Sequence, residues 1–143
     1  MPIEIRDARD EDVPAIAGLM VTLGYPTQPE EMRSRLAAIA GHPDYRTLVA
    51  VEDSRVVGML GLLFARYYER SAVYARIVAL SVAPGAKRRG VGSALVDAAD
   101  SLARTRGAFA LALSSGNHRG DAHAFYERLG FEARGRAYYR SFG

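Results

Sequence analysis

The chain opens with polar and apolar positions in alternation: Ile3-Glu4-Ile5-Arg6 has the two-residue period of a half-buried strand. The period lengthens after the acidic run Asp10-Glu11-Asp12, which suits the first turn of a helix, because Val13, Ile16, Ala17 and Met20 then recur on one helical face. Pro14 is tolerated within that first turn, and Gly24-Tyr25-Pro26 closes a helix that reaches about Leu23. Thr27 with Glu30 three residues later reads as a capping box. The second helix it starts carries Met32, Leu36 and Ile39 and stops at Gly41. From Arg46 the apolar residues crowd together. Thr47 to Glu52 and Arg55 to about Tyr67 predict an antiparallel hairpin turning at Asp53-Ser54. A further strand is expected over Val73 to Val82, closed by Pro84-Gly85. Val91, Ala94, Leu95, Ala98 and Leu102 then give a helical stripe ending at Gly107. Phe109 to Leu113 is a short strand, Asp121 to Leu129 a helix with Ala122, Phe125, Tyr126 and Leu129 inward, and Ala137 to Phe142 a last strand.

The order βααβββαβαβ holds one strand-helix-strand crossover flanked by hairpin-like pairs. It predicts an α/β (α+β) domain with a mixed, mostly antiparallel central sheet and helices on both faces. At 143 residues with no repeat or linker, one domain spanning 1–143 is expected. No run approaches the ~18 apolar residues of a membrane span, and the start of the chain alternates charges instead of forming a signal peptide, so a cytoplasmic location is expected. The absence of cysteine removes disulfides, thiolate nucleophiles and Cys-based zinc sites, and His42, His118 and His123 lack the i,i+4 zinc spacing; no metal is expected.

A net charge of +3 and a pI near 9.4 raise the question of nucleic acid. The basic residues are dispersed except at Lys87-Arg88-Arg89, and Lys87 is the only lysine. Three cations beside a glycine-rich loop suit a phosphate-bearing small molecule better than a duplex, so no nucleic-acid partner is expected.

That loop, Lys87-Arg88-Arg89-Gly90-Val91-Gly92-Ser93-Ala94, lies between a strand and a helix start. Glycines at 90 and 92 let a ligand approach the backbone, and the free amides of a helix N-terminus point toward an anion; the plainer alternative is a glycine pair that only turns the chain. The spacing is neither that of a Walker loop nor that of a dinucleotide fingerprint. It resembles the Arg/Gln-x-x-Gly-x-Gly/Ala pyrophosphate loop of the GNAT superfamily of N-acetyltransferases, with Lys87, Gly90 and Gly92 at the motif positions. Lys87 stands where Gln or Arg is usual, keeping the charge and losing planar hydrogen bonding. Downstream, Asn117 and then Asp121-Ala122-His123-Ala124-Phe125-Tyr126-Glu127-Arg128-Leu129-Gly130-Phe131 resemble the superfamily's later helix. The opening Ile5-Arg6-Asp7-Ala8 with Asp12 is similar to its N-terminus. The match covers about Val73 to Phe131.

The resemblance implies an acyltransferase in which an amine attacks the thioester of acetyl-CoA directly, without an acyl-enzyme, in keeping with the lack of cysteine. It implies that backbone groups of Leu80 and Val82 pair with the pantetheine arm, that Lys87, Arg88, Arg89, Gly90, Val91, Gly92 and Ser93 surround the pyrophosphate, and that Asn117 touches the arm. Tyr126 matches a tyrosine that protonates the departing thiolate, and its alternative reading is a core tyrosine beside Phe125. The general base is less legible. Many members carry a glutamate in the strand before the loop, yet Tyr74 to Val82 holds no carboxylate. Glu69, with a water relay through Tyr67 or Tyr68, is the candidate, and an exposed hairpin end is the alternative. The compact chain resembles members acting on aminoalkylphosphonates, aminoglycosides or related small amines. Acetylation of a protein amine and a non-catalytic acyl-CoA sensor are the competing readings. Tyr138, Tyr139 and Phe142 suggest a homodimer contact.

Overall fold

The computed structural model describes residues 2–114 and 120–143. The first strand, β1 (Glu4–Asp7), passes through a 3-10 turn at Asp10–Asp12 into α1 (Val13–Leu23), and α2 (Pro29–Ala40) follows. Of the acidic run, Asp12 does the ordering. Its carboxylate accepts the Arg9 N–H at 2.7 Å and both terminal nitrogens of Arg6 at 2.7 and 3.1 Å, tying β1 to the start of α1. The expected face Val13, Ile16, Ala17 and Met20 is buried as a unit.

The second helix is capped one residue later than the Thr27/Glu30 pattern suggests. Glu31 accepts the Gln28 N–H at 2.8 Å, because Pro29 occupies the first helical position and leaves Gln28 as the residue outside it. Thr27 is instead buried and donates its hydroxyl to the Tyr25 carbonyl at 2.8 Å.

Strands β2 (Tyr45–Glu52), β3 (Arg55–Arg66) and β4 (Val73–Val82) continue the antiparallel sheet. Asp53 and Ser54 have φ of 52° and 63°, the left-handed pair a two-residue hairpin turn requires. A second 3-10 turn at Pro84–Ala86 leads into α3 (Val91–Thr105), then β5 (Leu111–Leu113) and α4 (Gly120–Arg128). The sheet order is β1-β2-β3-β4-β5, with β4 and β5 parallel.

Period-two alternation splits the core. Val49 and Met59 face α1 and α2, where they join Ile16, Leu19 and Met32. Leu48, Leu60, Leu62 and Ile77 face α3 and meet Val91, Leu95 and Ala99. Truncating a fully buried leucine such as Leu60 or Leu95 to alanine costs about 2–5 kcal/mol. The buried line of α3 runs Val91, Leu95, Ala99, Ala103, so Ala94, Ala98 and Leu102 of the expected stripe sit at its half-buried edge.

Two expectations need correction. β5 spans three residues where Phe109 to Leu113 is expected: Phe109 and Ala110 still bond the β4 backbone, but the paired register covers only Leu111 to Leu113. The last strand, Ala137 to Phe142, does not form, so the order ends βαβα. A strand exists only where a neighbour completes its ladder, and Tyr138, Tyr139 and Phe142 remain 89%, 95% and 90% exposed. Gly135, just before them, has φ of 63°.

Candidate active site

The site begins with a register change. Across β3 and β4, Gly61 pairs with Ala79 but Leu62 pairs with Ile77, leaving Val78 as the extra residue of a β-bulge, 48% exposed. The bulge reverses which residues address which edge. Before it, Ala75 donates its N–H to the Ala110 carbonyl at 2.9 Å and Val73 accepts from Phe109 at 3.0 Å, so odd-numbered residues point toward β5. After it, Ala83 donates to the Val57 carbonyl at 2.9 Å, so odd-numbered residues bond β3. Alternation then turns the N–H and C=O groups of Leu80 and Val82 to the other edge. The β5 ladder stops at the Ile77–Leu113 pair, and among the described residues nothing pairs with that edge beyond it. The result is a wedge between β4 and β5 lined by backbone donors and acceptors.

The wedge leads to the start of α3. Arg88 has φ of 68°, uncommon for a residue with a side chain, and Gly90 has φ of 82°. The first intrahelical bond runs from Ala94 N–H to the Gly90 carbonyl at 3.0 Å, which leaves the amides of Val91, Gly92 and Ser93 without a helical partner. Among the described residues no side chain caps this end, and no acidic residue lies in the first turn. A helix start so arranged attracts an anion. Val91 is 1% exposed in the core, so only its amide can serve a ligand.

Gly92 faces α4. A Cβ added there would lie 3.1 Å from Cζ of Phe125. The absence of a side chain at Gly92 therefore admits the Phe125 ring, which carries α4 over the loop. Tyr126, half-buried, presents its ring edge-on to Phe125 at 5.3 Å and to Phe131 at 6.0 Å.

The three cations are not equivalent. Arg89 pairs with Glu52 at 2.5 Å, and that carboxylate, at the end of β2, is 7% exposed. Lys87 and Arg88 join no ion pair among the described residues. Glu52 went unnoticed in the sequence because nothing local links it to a loop 37 residues away.

Glu69 is not brought to this site. It lies on the exposed segment between β3 and β4, ahead of Val73, and five strand residues, about 17 Å, separate Val73 from the bulge. Tyr67 meets Tyr74 in a tilted contact with ring centroids 4.3 Å apart, while Tyr68 is fully exposed. Asn117 lies outside the described residues. His123 is half-buried on α4. A separate cleft of about 440 Å³ between β1, α2 and the start of β2 is lined by Asp7, Arg33, Leu36 and Arg46, and none of the expected site residues borders it.

Comparison with known proteins gives this geometry a context. The sequence pattern of the acetyltransferase (GNAT) family matches residues 7–131. An aminoalkylphosphonate N-acetyltransferase of Salmonella typhimurium is 31% identical over 134 residues, which cover 92% of this chain and 87% of the relative. Among solved structures, a transcriptional regulator from Bacillus halodurans is similar with a TM-score of 0.91 and 25% identity, over 99% of this chain and 100% of that one. An aminoglycoside acetyltransferase from an uncultured soil metagenomic sample shares the fold, with a TM-score of 0.83 at 18% identity, over 99% of this chain and 97% of that one.

Proposed function

This chain belongs to the acetyltransferase (GNAT) family and is an acetyl-CoA-dependent N-acetyltransferase, and we propose that it acetylates the primary amine of a small molecule. The observation that carries the reading is the open edge of β4, which runs from the bulge at Val78 to the uncapped start of α3. An extended arm laid along that edge finds the backbone groups of Leu80 and Val82, and its pyrophosphate then meets the amides of Val91, Gly92 and Ser93. Lys87 and Arg88 supply the unpaired charge, and Arg89 is held by Glu52.

The amine nitrogen attacks the thioester carbon, and the carbon–sulfur bond breaks. Tyr126 gives its phenolic proton to the departing sulfur. No carboxylate lies on β4 to receive the amine's proton, so water is the immediate acceptor, with Glu69 reached only through a relay. No residue of the chain is acetylated on the way.

The relative's name supports a small amine over a protein amine. The exposed Tyr138, Tyr139 and Phe142 support a homodimer in which a second copy covers them. A thiol-release assay with acetyl-CoA across small amines and amine-bearing peptides tests the reading. Turnover with at least one small amine is expected. A chain that binds CoA but releases no thiol above background with any amine is a sensor.

A further inference from the structure

We infer that Arg76 makes the enzyme select amines that also carry an oxyanion, a phosphonate or a carboxylate. This rests on the proposal that transfer occurs at the wedge between β4 and β5. Arg76 lies on β4 between Ala75 and Ile77, both buried on the α3 side, so its own side chain leaves the sheet toward α1 and α2. That face is opposite the helix whose start addresses the anion of the donor. Arg76 pairs in register with Ala112, yet its guanidinium donates to the hydroxyl of Ser114, the first residue beyond the β5 ladder. The charged group is thus level with Val78, at the apex of the wedge. Leu80, the first residue whose backbone addresses the open edge, is two strand steps further on, about 7 Å. An acyl group carried to the end of that edge arrives beside the guanidinium.

Among the described residues no carboxylate pairs with that charge. Ser114 is a neutral acceptor, and no ion pair among the described residues involves Arg76. On that face Asp12 is matched to Arg6 and Glu31 of α2 to Arg35, while Glu30 of α2 joins no ion pair among the described residues. The Arg76 guanidinium, whose bond to Ser114 is exposed, has donors to spare for charge-assisted hydrogen bonds to an oxyanion, and it repels a second cation. An amino acid-like or aminophosphonate acceptor suits this apex, and a polycationic aminoglycoside does not.

The test compares kcat/KM for aminoethylphosphonate, β-alanine, neutral ethanolamine and the aminoglycoside sisomicin, in wild type, Arg76→Gln and Arg76→Lys. Wild type should favour one or both acidic amines over ethanolamine by about 10-fold or more, and the two acids separate phosphonate from carboxylate recognition. Arg76→Gln should collapse that ratio by about 10- to 100-fold, the range expected for a hydrogen bond to a charged group. Arg76→Lys should restore part of it, with KM for acetyl-CoA and the melting temperature near wild type in both variants. A ratio that survives Arg76→Gln, or a wild type that prefers ethanolamine or sisomicin, overturns the inference. If no amine is acetylated, the proposed function fails on its own account. Calorimetry of aminoethylphosphonate and β-alanine on the CoA-saturated protein then decides: binding of either that Arg76→Gln abolishes supports the role of Arg76, and absent or unchanged binding of both overturns it.

Discussion

The ring of Phe125 occupies the space a side chain on Gly92 would need, with its Cζ 3.1 Å from where a Cβ would stand. Loop and α4 are therefore fitted to each other before any ligand arrives. Gly92→Val should displace Phe125, lower the melting temperature and abolish CoA binding. The double variant Gly92→Val/Phe125→Ala relieves the clash and should recover part of the lost stability. CoA at 100 times its wild-type dissociation constant gives wild type ~2.7 kcal/mol and should add less to the double variant, in which the Phe125 ring no longer seats α4 on the loop. Thermal shift measures both. A double variant that CoA stabilises as well as wild type would contradict a dependence of CoA binding on the fit of Gly92 to Phe125.

In the proposed site, the Glu52–Arg89 pair sets Arg89 apart as a structural cation from Lys87 and Arg88, which join no ion pair among the described residues. Salt screens exposed charges most. Arg88→Gln or Lys87→Gln should therefore flatten the salt dependence of CoA affinity more than Arg89→Gln does. Arg89→Gln should show chiefly as a lower melting temperature, because it leaves the buried Glu52 carboxylate alone. Affinities across an ionic-strength series check this, and a larger flattening in Arg89→Gln with unchanged melting would contradict the division.

Stability should carry a signature of Asp12. The Arg6 guanidinium bonded to its carboxylate, helped by the Arg9 N–H, holds its pKa below the usual carboxylate value despite burial. A depressed folded-state pKa stabilises above the unfolded value of about 3.9, and the contribution is lost as pH falls through the folded value. Asp12→Asn should cost about 2 kcal/mol at neutral pH, and its gap from wild type should narrow below about pH 4. Denaturant titrations at neutral and acid pH measure it, and a pH-independent gap would assign the cost to packing.

Local chemistry is what a sequence displays best, and the elements follow that rule. The hairpin at Asp53-Ser54, the limits of β4 and the inward face of α1 all follow from periodicity and turn residues. The cap of α2 moved by one residue because Pro29 outranks the Thr27/Glu30 spacing. Ala137 to Phe142 has the composition of a strand, but pairing depends on a neighbour, and none of the described residues provides one. At the site, the glycine loop was legible as a motif. The bulge at Val78, which turns Leu80 and Val82 toward the open edge, has no signature in an unbroken apolar run. Glu52 and Arg76 have no signature for the same reason, since their partners Arg89 and Ser114 are distant in sequence.

Tyr126 offers the sharpest separation of chemistry from packing. Tyr126→Phe keeps the ring contacts with Phe125 and Phe131 and removes the only proton the side chain can give. With Tyr126 as the proposed proton donor, turnover should fall by about 100- to 10,000-fold while acetyl-CoA affinity changes little, because a bond from a donor to the departing sulfur strengthens only as charge develops. A stable Tyr126→Phe enzyme within about threefold of wild-type turnover would leave solvent as the proton source.

The most direct measurement of the central claim is the stoichiometry of transfer: thiol released, amine acetylated and protein acetylated, quantified by mass spectrometry with and without an amine acceptor. Direct transfer predicts one N-acetylated amine for each thiol, no thiol without amine, and protein of unchanged mass throughout. Thiol released without amine together with an acetylated protein would contradict direct attack, and CoA binding without any acetylated amine would contradict the assignment of this chain as an N-acetyltransferase.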